Sequence, residues 1–249
     1  MTTSKKSVNP KFALTWEIEV AEKIKQNIAM SGGLADETVF ETKPYMVALV
    51  GIPGSGKSTS GEILSGLLNN MGISCLHMPF DGYHFPLSVL KTFPNPEDAL
   101  YRRGAQDTFD VETLKRDLRA IRDGGDDVPM VKVPGFDHAA GDPEPDAHIF
   151  ERSNHRVVLC DGLYLLHGED GWEDIKSLFD WSVYIDSDLE ICIRRLKERN
   201  KCIPGYTPEE IDVRCDAVDR VNAITVMKSQ DRADQVVKSA ATRLPEEKV

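Results

Sequence analysis

The sequence predicts an α/β protein with three layers: a mostly parallel central sheet covered by helices on both faces. Three observations predict it. Short, continuous apolar runs recur along the chain at "MVALV" (46–50), "ISCLHMPF" (73–80), "PMVKV" (129–133), "RVVLC" (156–160) and "WSVYI" (181–185), and continuous apolarity marks strands buried on both sides. Helical spacing fills the intervals between several of them. A glycine-rich loop follows the first run directly and leads into a helical pattern. A chain of 249 residues, 41% hydrophobic and 29% charged, suffices for one such domain with a full core, or for two small ones.

Taken in order, residues 1–44 read as a helical extension and connector, and 45–249 as the main domain. Leu14, Ile18, Ala21, Ile24 and Ile28 share one helical face. A leading helix packed on the main domain is expected, with a partner-binding helix as the alternative. "SGGLADETVFETKP" (31–44) reads as a connector. No apolar stretch approaches the ~20 residues that span a bilayer, and the leading residues lack an apolar secretory h-region. Five cysteines without CxxC spacing read as free thiols in a reducing compartment. The expectation is a cytoplasmic protein, with organelle targeting not favoured. The formal charge of −11 argues against a nucleic-acid partner. No membrane partner is expected, and homo-oligomerisation is left open.

The loop "GIPGSGKSTS" (51–60) carries the chemistry. A plain tight turn would also use glycines, but Gly51, Gly56, Lys57 and Ser58 satisfy G-x-x-x-x-G-K-[ST] in the strand–loop–helix context that pattern requires. Such a loop crowds backbone N–H groups around phosphate oxygens at a helix N-terminus. Gly51, Ile52, Pro53, Gly54, Ser55, Gly56, Lys57, Ser58 and Thr59 are therefore expected to bind the triphosphate of ATP, with Lys57 on the β- and γ-phosphates and the Ser58 hydroxyl on Mg²⁺. The fold class becomes that of a P-loop NTPase, with a lid.

Further along, "MPFDGYH" (78–84) places Asp81 at the end of the second strand, where a carboxylate can take the proton of an attacking hydroxyl. "VVLCD" (157–161) ends in Asp161, a carboxylate for Mg²⁺. For both, a turn aspartate before glycine is the alternative. "TLKRDLRAIRDG" (113–124) and "DLEICIRRLKERN" (188–200) read as helices, "FDHAAGDPEPDAH" (136–148) as a surface loop, and "DQVVKS" (234–239) as a last strand. Arg194, Arg195 and Arg199 form either a solvated basic face or a closing lid that neutralises the moving phosphoryl group. A guanine-reading N-K-x-D is absent, "NKCI" (200–203) lacking the aspartate, and "LSGLL" (64–68) is no transporter signature.

Together "VALVGIPGSGKST", "FDGYH", "DTFD" (107–110), "VPMVKVPGFDH", "VVLCDGLYLL" and "DRVNAITVM" (219–227) resemble, in order and spacing, the uridine kinase, phosphoribulokinase and bacterial-type pantothenate kinase group of P-loop kinases over residues 45–240. The resemblance implies a small-molecule kinase in which Asp81 is the base and a metal neighbour. Asp161 is implied as a metal-side carboxylate and Asn222 as part of the adenine end. Tyr83, His84, Arg102, Arg103, Asp137 and His138 are the candidates for holding the acceptor. Phe136 stands where the group usually has tyrosine, and the acceptor side departs from a uridine-reading pattern. Arg102 and Arg103 suggest an anionic acceptor bound by guanidinium forks, against the alternative that they pair with acids such as Asp98. Two other functions stay open: an ATPase or switch without a small acceptor, and an ATP-binding protein that has lost catalysis.

Overall fold

The structure is a computed structural model that describes residues 15–30, 43–137, 139–201 and 206–239. Leu14, His138 and most of the expected connector lie outside the described residues. In chain order the elements are α1 (Thr15–Met30), β1 (Tyr45–Gly51), α2 (Lys57–Asn70), β2 (Cys75–Pro79), α3 (Leu87–Leu90), α4 (Pro96–Tyr101), α5 (Val111–Asp123), β3 (Met130–Asp137), β4 (Asp142–Glu151), β5 (Val157–Gly162), β6 (Trp181–Asp186), α6 (Leu189–Asn200), α7 (Pro208–Arg214), α8 (Arg220–Met227) and β7 (Gln235–Lys238). Five strands form a parallel sheet in the order β2-β5-β1-β6-β7.

Strand β1 shows how the three layers arise from the pleat. Met46, Ala48 and Val50 point to one face, into a core with Leu114, Leu118 and Ile121 of α5 and Ala223 and Val226 of α8. Val47 and Leu49 point to the other, against Val20, Ala21, Ile24 and Ile28 of α1 and Leu64 and Leu68 of α2. Both sets are fully buried on β1 because a central strand has neither face in water. A smaller cluster of Ile193, Leu196, Ile211 and Cys215 joins α6 to α7.

Two sequence expectations change here. The buried face of α1 includes Glu17 and Val20, while Ile18 is 43% exposed. Glu17 lies on the apolar face because its Oε1 accepts a hydrogen bond from Ser60 Oγ of α2 at 2.9 Å, so a charged residue hid the true stripe. The run 129–133 does not join the main sheet. It opens β3, which pairs antiparallel with β4 as a separate two-stranded ribbon. Most of the expected 136–148 loop is therefore hairpin. Its prolines and exposed polar residues conceal a strand, and a two-stranded ribbon tolerates proline because it is all edge. In β3, Val131 and Val133 are buried while Met130 and Lys132 are exposed, the alternation of a strand with one wet face.

Candidate active site

Three neighbouring strands end together. The register sets Leu49 of β1 and Pro79 of β2 on either side of Asp161 in β5. The phosphate loop, Asp161 and the segment 80–83 thus share one rim, the carboxyl end of the parallel sheet, where ligands of such folds collect. The loop is braced by the Ser55 amide donating to Ile52 O at 3.1 Å. Gly54 has φ 79°, and a Cβ there would lie 2.7 Å from the Cys192 carbonyl; only glycine lets α6 pack so close. Helix α2 starts at Lys57, preceded by Gly56 in the left-handed region. Its first N–H groups have no acceptor within the helix and face the loop mouth. Ile52 is buried, Pro53 is half-buried, and Thr59 is exposed in the first turn. The buried Ser55 hydroxyl has no hydrogen-bond partner among the described residues. A cradle with vacant donors fits a polyphosphate.

Lys57 is half-buried, and its ammonium donates to Ile52 O at 3.1 Å. Burial draws its pKa below the usual lysine range, Asp161 and Asp81 oppose that shift, and Arg199 reinforces it. The two carboxylates and Arg199 therefore act on the same ammonium. Ser58 Oγ donates to Asp161 Oδ2 at 2.8 Å. Asp161 is only 3% exposed. Burial works to raise its pKa, but the His77 hydrogen bond and charge, Lys57 and Ser58 outweigh it and hold the carboxyl below the ordinary range. His77 Nε2 lies 2.8 Å from Asp161 Oδ1. The sequence reading did not include His77, although a histidine inside an apolar strand was a signal. The hard oxygens of Ser58 and Asp161, with Asp81 on the same rim, suit Mg²⁺ in kind.

Asp81 is half-buried in a single 3₁₀ turn, Phe80–Tyr83, just beyond β2. Its carbonyl accepts from His84 Nδ1 at 2.8 Å. The His84 ring lies 3.9 Å from that of Phe109 and 5.1 Å from that of Phe136. Burial lowers the His84 pKa, against the pull of Asp81. The Arg103 guanidinium stands 5.5 Å from the Phe136 ring. His84, Arg103 and Phe136 are thus brought together beside Asp81.

The other acceptor candidates are corrected. Tyr83 is 1% exposed, and its hydroxyl donates into the core to Asp117 Oδ2 at 3.2 Å. Arg102 is occupied, with Nε on Asp98 Oδ2 at 2.7 Å and both Nη atoms on Asp107 at 2.8 and 3.0 Å. Arg103 pairs with Asp142 Oδ1 at 2.8 Å and donates to the carbonyls of Phe85 and Gly141. With both guanidiniums already matched to acids, the expected anionic acceptor loses its support. Asp137 is exposed at the hairpin turn, where Oδ1 accepts from the amides of Ala139 and Ala140 at 2.8 and 3.1 Å. It builds the turn.

On α6, Arg194, Arg195 and Arg199 are all exposed. Cys192 and Leu196 meet the phosphate loop at Gly54. By the 3.6-residue period Arg195 and Arg199 share their face, while Arg194 lies on the opposite side. Residues 202–205, which follow α6, lie outside the described residues. Asn222 is 5% exposed and sits beside Gly104, whose carbonyl accepts from Tyr164 OH at 2.9 Å.

Comparison with known proteins gives a consistent picture. A family model described as an AAA domain matches residues 47–214. A Schizosaccharomyces pombe protein, provisionally named uridine kinase, is 34% identical over 210 residues, covering 82% of this chain and 86% of that protein. A solved kinase from Silicibacter, provisionally assigned to a fructose transport system, has a TM-score of 0.75 at 26% identity, covering 90% of this chain and all of that one. Phosphoribulokinase from Rhodobacter spheroides shares the fold, with a TM-score of 0.59 at 18% identity over 80% of this chain and 74% of that one.

Proposed function

Because this chain belongs to the AAA-domain P-loop family and, within it, to the uridine kinase and phosphoribulokinase group of kinases, we propose that it transfers the γ-phosphoryl group of ATP to a hydroxyl of a small metabolite. One observation carries this reading. A carboxylate, Asp81, directly follows β2 in the turn Phe80–Tyr83, on the rim that also carries the phosphate loop and Asp161. A switch or simple ATPase has no acceptor hydroxyl and so no use for a base to take its proton.

In this reading the acceptor hydroxyl attacks the γ-phosphorus while its proton passes to the Asp81 carboxylate, and the bond to the β-phosphate oxygen breaks to leave ADP. Lys57 and the α2 N-terminus hold the triphosphate and draw off the charge that develops on it. Arg199, on the α6 face toward the loop, adds a second cation, with Arg195 beside it. Ser58 and Asp161, with Asp81 nearby, would hold Mg²⁺, which would supply charge to neutralise the triphosphate. His84 and Phe136 stand where the acceptor would be held.

The test is ADP release by the full chain with Mg²⁺ and ATP, with and without a panel of sugars, sugar phosphates, glycerate, pantothenate and nucleosides. Release that depends on one acceptor supports the proposal. Equal release without any acceptor identifies an ATPase, and no release under either condition identifies a binding protein.

A further inference from the structure

His77 is a polar residue in the middle of β2, with its side chain 13% exposed. Its Nε2 meets Asp161 Oδ1 at 2.8 Å, while the other oxygen of the same carboxylate accepts from Ser58 Oγ at 2.8 Å. Asp161 is thus gripped from both flanks, by the strand on one side and by the phosphate-loop helix on the other. An ionised carboxylate can only accept, so Nε2 is the donor and carries the proton. Room for the imidazole comes from α2: a Cβ on Gly61, one turn beyond Lys57 and Ser58, would lie 2.4 Å from His77 Nε2. A side chain there would displace the ring. Without the imidazole, one oxygen of a carboxylate that is almost wholly buried would lose its partner, and the side chain would turn to recover one.

We infer that His77 is a positioning residue, fixing the Asp161 carboxylate so that its second oxygen and the Ser58 hydroxyl stay paired as the oxygen site for Mg²⁺. This rests on the metal-side reading of Asp161. Groups that orient a metal ligand from behind typically contribute 10–100-fold to metal affinity or activity, and the hydrogen bond of His77 has that relation to Asp161.

The experiment is calorimetric titration of ADP into the full chain, once with Mg²⁺ and once with EDTA, for the wild type, His77→Leu, His77→Gln, Gly61→Ala and Asp161→Asn. His77→Leu should weaken Mg²⁺-dependent ADP binding by roughly 10–100-fold and leave binding in EDTA within about twofold. His77→Gln, whose amide nitrogen donates from a similar reach, should recover most of the loss. Gly61→Ala should reproduce the defect with His77 present and add nothing in the His77→Leu background. Should His77→Leu fail to fold, Gly61→Ala carries the same readout, and wild-type Mg²⁺ dependence in folded Gly61→Ala would then overturn the inference. Wild-type Mg²⁺ dependence in a folded His77→Leu protein, beside a defective Asp161→Asn, would overturn the inference. So would equal losses with Mg²⁺ and EDTA, or failure of glutamine to recover binding where leucine loses it. Wild-type behaviour of Asp161→Asn would instead remove the metal reading of Asp161, and the inference with it.

Discussion

In the proposed reaction Lys57 is the charge that receives phosphate and Asp81 the base that receives a proton. The hydrogen bond of the Lys57 ammonium is local, to the Ile52 carbonyl five residues back, so its removal should spare the fold. Lys57→Ala is expected to lower turnover by roughly 10²–10³-fold or more, as when a group that stabilises transition-state charge is removed, with an unchanged unfolding midpoint. Normal turnover in the folded variant would end the kinase reading. Asp81→Asn keeps the shape of the side chain but cannot take a proton. Its turnover should fall by roughly 10²- to 10⁴-fold, while ATP affinity measured by titration changes much less. Loss of ATP binding with an unaffected residual rate would make Asp81 a structural or metal residue.

In the proposed kinase the β3–β4 ribbon is the element whose placement would shape the acceptor side. It has no strand of the main sheet to hold it, and Arg103 supplies a tether, reaching the Gly141 carbonyl and Asp142 carboxylate of the ribbon, the Phe85 carbonyl beyond the Asp81 turn, and the Phe136 ring. Arg103→Ala should therefore raise the KM for the acceptor and speed amide exchange across 130–151, with little change in ATP affinity. Arg102→Ala removes only pairs at the surface, where the Arg102 and Asp107 side chains are 38% and 51% exposed. Such pairs are worth about 0–1 kcal/mol, and both kinetic constants should stay near wild type. Equal defects in the two variants would contradict this division.

At the scale of the whole molecule, α1 is part of the core of the nucleotide domain. Val20, Ala21 and Ile24 have no exposed surface, sharing a cluster with β1, α2 and β5, and Glu17 ties α1 to the second turn of the phosphate-loop helix through Ser60. Ile24→Ala should destabilise the protein by about 2–5 kcal/mol, the range for a buried isoleucine cut to alanine, read from urea unfolding. ADP affinity under folding conditions should stay at the wild-type level, because Ile24 faces the layer beneath the sheet and not its rim. A change below ~0.5 kcal/mol, ordinary for a surface position, would show that α1 is not a core element.

What the sequence determined by itself was the chemistry carried by neighbouring residues. Gly51 to Thr59 are nine successive positions, so the loop, the start of α2 and the placement of Lys57 and Ser58 follow from short-range geometry that spacing records. Asp81 and Asp161 were legible because each follows an apolar run, and a parallel sheet brings such ends to one rim. Tertiary structure alone decided which groups meet across the chain. His77 and Asp161 are 84 positions apart and become neighbours only because β2 lies beside β5. Arg102 and Arg103 are alike in sequence, yet one pairs at the surface and the other clamps a ribbon whose second strand prolines had disguised as a loop. Tyr83 stands two residues from Asp81, yet its ring is buried in the core and its hydroxyl meets Asp117. Local backbone preferences are set within a few residues, whereas the partner of a polar side chain is set by which apolar faces are buried together, and that choice belongs to the whole fold.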